Sequence, residues 1–431
     1  MPSRHQRHHF ERAVLGNGLK IVVSPNPADN LVGVSVVYNV GFRSEPEGRT
    51  GFAHLFEHMM FQGSAHVGKV EHIRLVESAG GVMNGHTRAD LTAYYEALPP
   101  SGLELALFLE ADRMGSLAIT EENLRNQVDV VKEEILGNVI NRPYGGFPWI
   151  LLPQLAFDLY PNAHNGYGDF SHLEQATVAE SEDFYSAYYA PANAILTVVG
   201  SCTPDEVFSL AERHFGPIRH RPVPDHGPWP EPRVAKDRRR AIPDKLAPQP
   251  AFAIGYRTVD PVGQLDQYIV YHLLADVLGS GDASRLTARL VHKDHNVTDV
   301  GCMMGTFGDD DFFVRDPSLF QVVVFHPGSA TTDGILQAID EEVDRLASDG
   351  PTKEELARVV ASSSAELWRS LDSILNRSHV VGSIETVHGS AELLDELADR
   401  LAAVTSADVA AAAADLAGQH RAVLELEPAK R

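Results

Sequence analysis

The sequence predicts an α+β protein of two similar domains, each a mixed, mostly antiparallel sheet with helices packed on one face. Three observations carry that expectation. Short β-branched runs alternate with amphipathic helical stretches in both halves of the chain. The order strand, helix, glycine turn, helix, strands, then long helices occurs twice, although no repeated motif is visible. Between the two copies, Pro217 to Pro250 is dense in proline and charge and has no apolar period, so it reads as a linker or extended arm. The expected division is an N-terminal domain over 1–225, a linker over 226–250, and a C-terminal domain of similar fold over 251–431.

Taken in order, LKIVVSP and LVGVSVVYNVG between Gly18 and Gly41 read as strands, bounded by Asn17-Gly18 and by Pro25 to Asn30. A helix follows from about Gly51 to Gln62, and another covers Val70 to Ser78, stopping at Gly80-Gly81. Thr87 to Leu98 reads as a strand and Leu103 to Met114 as a helix. Thr120 can cap a helix over 121–140, whose apolar residues Leu124, Val128, Val131, Ile135 and Val139 share one face. Thr177 with Glu180, Thr203 with Glu206 and Thr352 with Glu355 have the spacing of capping boxes. Ile195 to Gly200 reads as a buried strand. In the second half AFAIGYR, Val300 to Phe307 and Leu319 to Phe325 read as strands.

Composition bounds the function. The 431 residues carry 36 basic and 59 acidic side chains, a formal net charge of −23. That balance argues against non-specific nucleic-acid or anionic-membrane binding, which leans on clustered Lys and Arg. No run of about 18 apolar residues suggests a membrane span. Cys202 and Cys302 make no disulfide framework, and MPSRHQRHHF at the start has no apolar run behind it, so a cytoplasmic, reducing setting is expected. His5, His8 and His9 read as part of a disordered tail. Asp309-Asp310-Asp311 lacks the spacing of a cation loop and reads as a solvated turn.

The chemistry concentrates in His54-Leu55-Phe56-Glu57-His58. On a helix, positions four apart lie on one face, so both imidazoles can reach one ion. Zinc accepts such nitrogens and needs a third protein ligand if it is to keep an open position. Glu57 projects beside the same site, placed to move a proton rather than to ligate. The third ligand is expected on a facing element. Glu134 lies beside the apolar stripe of the 121–140 helix, while Glu133, about 100° round, is its rival.

Here the chain resembles a known family, the inverzincin metallopeptidases that include pitrilysin, insulin-degrading enzyme and the mitochondrial processing peptidase. The resemblance runs through GLKIVVSP, GFAHLFEHMMFQGS, ESAGGVMNGHTRADLTAYY, VVKEEI, AYYAPANAILTVVG and SRLTARLV, in the family order. It implies a zinc ion held by His54, His58 and Glu134, with Glu57 as general base in the N-terminal domain. It implies that an extended peptide adds as a strand beside Asn84, Gly85 and His86. It also implies the shorter-chain branch, in which each chain is half of a clamshell enclosing a chamber.

Two departures stand out. A Glu common in the family, upstream of the third ligand on the same helix face, is Gln127 here. The Arg and Tyr that single-chain members carry in the C-terminal half fall on Val291 and Thr298, in the register set by Ser284-Arg285-Leu286, and no tyrosine follows Tyr271. The expectation is therefore a zinc endopeptidase that works as the catalytic subunit of a heterodimer, its homologous partner supplying the Arg/Tyr pair. The competing readings are a non-catalytic assembly subunit and a self-sufficient homodimer.

Overall fold

A computed structural model of the chain describes residues 8–224, 226–306 and 312–429. Asp309-Asp310-Asp311 and His5 lie outside the described residues. Two compact units form, the first from Met1–Lys132, Gly166–Gly227 and Leu367–Leu397, the second from Glu133–Asn165, Pro228–Glu366 and Ala398–Arg431.

The first unit is built on a six-stranded sheet. Its strands are β1 (Glu11–Val14), β2 (Lys20–Pro25), β3 (Val32–Tyr38), β4 (Val82–Thr87), β5 (Thr92–Leu98) and β6 (Ala194–Gly200), in the spatial order β1-β2-β6-β3-β5-β4. Only β2 and β6 pair in parallel; the other pairs are antiparallel. Central strands β3, β5 and β6 are buried along their whole length, as expected of β-branched and aromatic runs covered on both faces. The ends of the sheet, β1 and β4, are partly exposed. Four helices follow the early strands: α1 (Phe52–Met59), α2 (Glu71–Ser78), α3 (Leu103–Ser116) and α4 (Glu121–Ile135). A distant helix, Ile374–His388, also packs on β3, β5 and β6, where Ser35 Oγ donates to the Ser378 carbonyl at 2.9 Å. Alternation along β3 puts Ser35 on the face opposite Tyr38, whose ring meets Tyr94 and Tyr189.

The second unit has five strands: β7 (Arg238–Asp244), β8 (Ala251–Arg257), β9 (Asp299–Met304), β10 (Leu319–Phe325) and β11 (Ala422–Pro428), in the order β7-β11-β8-β10-β9. Again one pair, β7 with β11, is parallel. Its core joins Leu152, Leu155 and Phe157 to Ala253, Leu319, Val323 and Leu424.

The structure divides the chain differently from the expected 1–225, 226–250 and 251–431. Residues 133–165 join the second unit and 367–397 join the first. Contiguity in sequence cannot reveal this, because each exchanged segment buries its apolar face on the other half's sheet. The expected linker contains β7, whose Arg238, Arg239 and Pro243 suit an edge strand. There Arg238 pairs with Asp158 at 2.7 Å, so the charge density that suggested a solvated arm serves a sheet margin. The boxes at Thr177 and Thr352 form, but Thr203 makes no side-chain cap. The 121–140 helix widens after Ile135 into a π-helical turn, Leu136–Ile140. His8 is anchored rather than loose, its Nδ1 lying 2.7 Å from Asp395.

Candidate metal centre and its cleft

Helix α1 begins where three local devices coincide. Gly51 takes φ +87°, and a side chain there would meet the backbone of Tyr167 and Gly168 at 2.8 Å. Gly168 has φ +91° and is equally closed to a side chain. The close approach lays the 166–168 segment over the helix start and sets the Tyr167 ring 5.0 Å from that of His54. The buried Glu45 carboxylate then accepts from the Gly51 and Ala53 amides at 2.9 and 2.8 Å, satisfying donors that open a helix.

From that start α1 buries Phe52, Leu55 and Phe56 and presents His54, Glu57 and His58 along one side. Tyr94 on β5 donates to the Phe56 carbonyl at 3.3 Å, tying the helix to the sheet beneath. The two imidazoles lie with ring centroids 4.9 Å apart and planes at 89°. Glu134 comes to them from the last turn of α4. The boundary between the units cuts α4 after Lys132, but the helix itself runs on unbroken to Ile135. One donor atom each from His54, His58 and Glu134 lies within 4.8 Å of the others. Two imidazoles and a carboxylate are a donor set that suits zinc. On the same helix Glu133 is exposed and Glu134 is half-buried.

Glu57 accepts from the Thr87 hydroxyl at 2.6 Å, from the last residue of β4. Strand β4 is the outer strand of its sheet, paired only with β5 among the described residues. Between α1 and β4 opens a cleft of about 310 Å³, lined by Glu57, His58, Phe61, Asn84, Gly85 and Gln127 among others. Asn84 is exposed and its Oδ1 accepts from the Gly85 amide at 2.9 Å. His86 instead packs against Tyr95 and His379, with ring centroids 5.4 and 5.0 Å away. Burial, with Arg88 and His379 adding to it, holds His86 well below the usual imidazole range. Buried Gln127 donates to Asn126 at 3.0 Å.

In the second unit, Val291 lies in the π-helical turn Thr287–Lys293 and Thr298 just before β9. Ser284 and Arg285 open the same turn region, and Arg285 grips Glu355 through two hydrogen bonds of 2.8 and 2.9 Å.

The family models match in two stretches. Residues 20–142 match the insulinase domain of peptidase family M16, and residues 175–363 match the peptidase M16 inactive domain. The chain belongs to the pitrilysin-like family, peptidase family M16. The zinc protease PqqE of Helicobacter pylori is 26% identical over 369 residues, 84% of this chain and 80% of that one. The zinc protease YmxG of Bacillus subtilis, whose function is uncharacterized, is 25% identical over 408 residues and covers 92% of each. Among solved structures, a protease from Helicobacter pylori superposes with a TM-score of 0.88 at 23% identity, over 98% of this chain and all of that one. Pitrilysin superposes with a TM-score of 0.79 at 15% identity, over the whole of this chain but 46% of its own. This member of family M16 therefore shares the fold of both short and long proteins. No helix of the described residues is long and apolar enough to cross a membrane.

The sequence points to His54, Glu57, His58, Glu134 and the Asn84-Gly85-His86-Thr87 segment, but gives no individual role to three residues the fold brings in. Thr87 was legible in principle, since it stands two residues from Gly85 on the edge strand. Glu45 and Tyr167 carried no sequence signal, because their relation to α1 exists only after loops close on it.

Proposed function

We propose that this chain is a zinc-dependent endopeptidase. The observation that carries the reading is the convergence of His54, His58 and Glu134, with Glu57 on the same helix beside an open strand edge. Zinc at those three ligands would act as a Lewis acid, polarising a peptide carbonyl and acidifying water. Glu57 takes the proton from the attacking water and returns it to the leaving amine. The Thr87 hydroxyl donates to one Glu57 oxygen and so orients the other for that transfer. The substrate backbone pairs with β4, which gives affinity without fixing sequence, and Asn84 is placed to meet the scissile amide. Gly85, with no side chain, lets the peptide approach closely. His86, held neutral, shapes the strand from its other contacts.

We further propose that catalysis needs a homologous partner chain. Val291 and Thr298 offer neither the guanidinium nor the phenol expected at those positions. Donors aimed at a developing oxyanion are often worth about 3 kcal/mol or more. This chain covers 46% of pitrilysin, so that protein is about twice as long and has room for two such halves in one chain. Pairing of two short chains would enclose a chamber that admits peptides and unfolded segments. The assay is hydrolysis of a peptide library by the purified chain, with zinc content measured alongside. Stoichiometric zinc with full activity only after addition of an Arg/Tyr-bearing companion is the expected result. Full activity alone would replace the heterodimer with a self-sufficient homodimer, and absence of zinc under zinc-replete conditions would leave a scaffold.

A further inference from the structure

Behind the wall of the cleft lies a second set of ionisable side chains that the proposed reaction does not use. His72 on α2, Glu96 on β5, and Glu110 and Arg113 on α3 are all buried, Glu96 completely. Donor atoms of His72, Glu96 and Glu110 lie within 4.8 Å of one another, and His72 Nε2 is 3.6 Å from Glu96. Arg113 pairs with Glu110, Nε donating at 2.9 Å and Nη2 to the second oxygen. Glu96 is left out of that arrangement. Neither of its oxygens has a hydrogen-bond partner, and His72 Nε2 and Arg113 Nη1 are equally orphaned.

Charge counting decides what such a cluster needs. Two carboxylates face one guanidinium. His72 adds no charge, since burial and Arg113 push it down to about 3. The neighbouring strands contribute only neutral groups: Tyr94 on β5, Tyr38 and Val34 on β3, and Met83 on β4. With every acid ionised the cluster carries an uncompensated negative charge away from water, which is costly. One proton on Glu96 removes that charge and supplies a donor for His72 Nε2. Burial pushes Glu96 up to about 7, against the opposing pull of Arg113. A divalent cation is the rival occupant of the same three ligands, but Arg113 already supplies the positive charge.

The cluster reaches the cleft through Arg113. Its guanidinium lies 4.2 Å from the Tyr94 ring centroid and 5.3 Å from that of Phe61. Phe61 lines the cleft beside His58, and Tyr94 holds the Phe56 carbonyl within α1. We propose that Glu96 is a positioning residue: protonated, it leaves Arg113 on Glu110 and both rings in place; ionised, it draws Arg113 Nη1 toward itself and off the cleft wall. The activity consequence rests on the peptidase reading above; the stability consequence does not.

The test compares the full-length zinc-loaded chain with E96Q, in the presence of a partner chain if activity requires one. In the wild type, KM for a fluorogenic peptide should rise and kcat/KM fall as pH passes about 7. One pH unit above that point E96Q should exceed the wild type about ten-fold, because only about a tenth of Glu96 then keeps its proton. Identical alkaline limbs would overturn the proposal, as would a second bound metal ion per chain. If neither protein cleaves peptides, the peptidase reading fails and the cluster is judged by thermal unfolding. Because Glu96 is raised from 4.5 when folded, wild-type stability should be highest below about 4.5 and fall as pH rises through about 7. E96Q should lack that fall, and parallel curves would refute the idea. Should E96Q not fold, wild-type infrared spectra should lose one protonated-carboxyl band across about pH 7; its absence on the acid side would also refute it.

Discussion

The two sheets of this protein repeat one plan. Setting β1 aside and numbering strands within each sheet from its first, both run first, fifth, second, fourth, third, with the single parallel pair between first and fifth. The contents of the connection between second and third strands differ. In the first sheet it carries α1, with His54, Glu57 and His58 on one side. In the second it carries the helix Leu265–Gly279, which spends its positions on burial: Tyr268, Ile269, Tyr271, Leu273 and Leu274 are all inside. Among the described residues, neither three-ligand group draws on the second sheet. Topology is thus shared and chemistry is not, because a fold is set by where apolar area is buried, while a site is set by a few polar side chains that burial barely constrains.

Mutations can break that asymmetry. The largest effect should come from E57Q, which keeps the shape of the side chain but removes the base. Peptide turnover should fall about 10²–10⁴-fold while zinc stoichiometry is unchanged. Loss of metal in E57Q would instead make Glu57 a ligand. E134Q should weaken zinc binding and lower activity with it, whereas E133Q, on an exposed position, should do neither. Competition with a chelator would rank the two, and the reverse order would exchange their roles. T87V removes the hydroxyl donated to Glu57 and should cost roughly ten-fold in kcat, with T87S restoring most of it. A purely packing role would let valine serve as well as threonine.

The second sheet should respond differently. R285A breaks two hydrogen bonds to Glu355 and one to the Gly350 carbonyl, so unfolding stability should drop by roughly 1–3 kcal/mol. Zinc content should stay at its wild-type value, since neither Arg285 nor Glu355 belongs to the candidate ligand group. The smallest expected change is Q127E, which adds one negative charge to the cleft beside His58 and should tighten metal binding by a few-fold.

Much of this was legible before any coordinates. The central strands announce themselves through β-branched runs, and the buried face of α4 follows from the spacing of Leu124, Val128, Val131 and Ile135, all nearly inaccessible. Helix periodicity places His54, Glu57 and His58 on one face of α1, and Glu134 stands beside the apolar stripe of α4. The domain boundaries were not legible. The exchange of 133–165 and 367–397 depends on where their apolar faces find area to bury, a long-range choice that no local pattern records. Part of the arm over 226–250 forms β7, as arginine and proline suit both a solvated linker and a guarded sheet edge.

The amino-acid order alone determined which residues could ligate a metal, which carboxylate could move a proton, and which strands would be interior, because those properties depend on side-chain chemistry and on periods of a few residues. Tertiary structure alone decided that Glu45 would cap α1, that Tyr167 would face His54, that Thr87 would reach Glu57, and that Glu96 would be sealed beside Arg113. Each of those contacts joins residues that are brought together by packing, and packing is settled by the total apolar area the whole chain can hide from water.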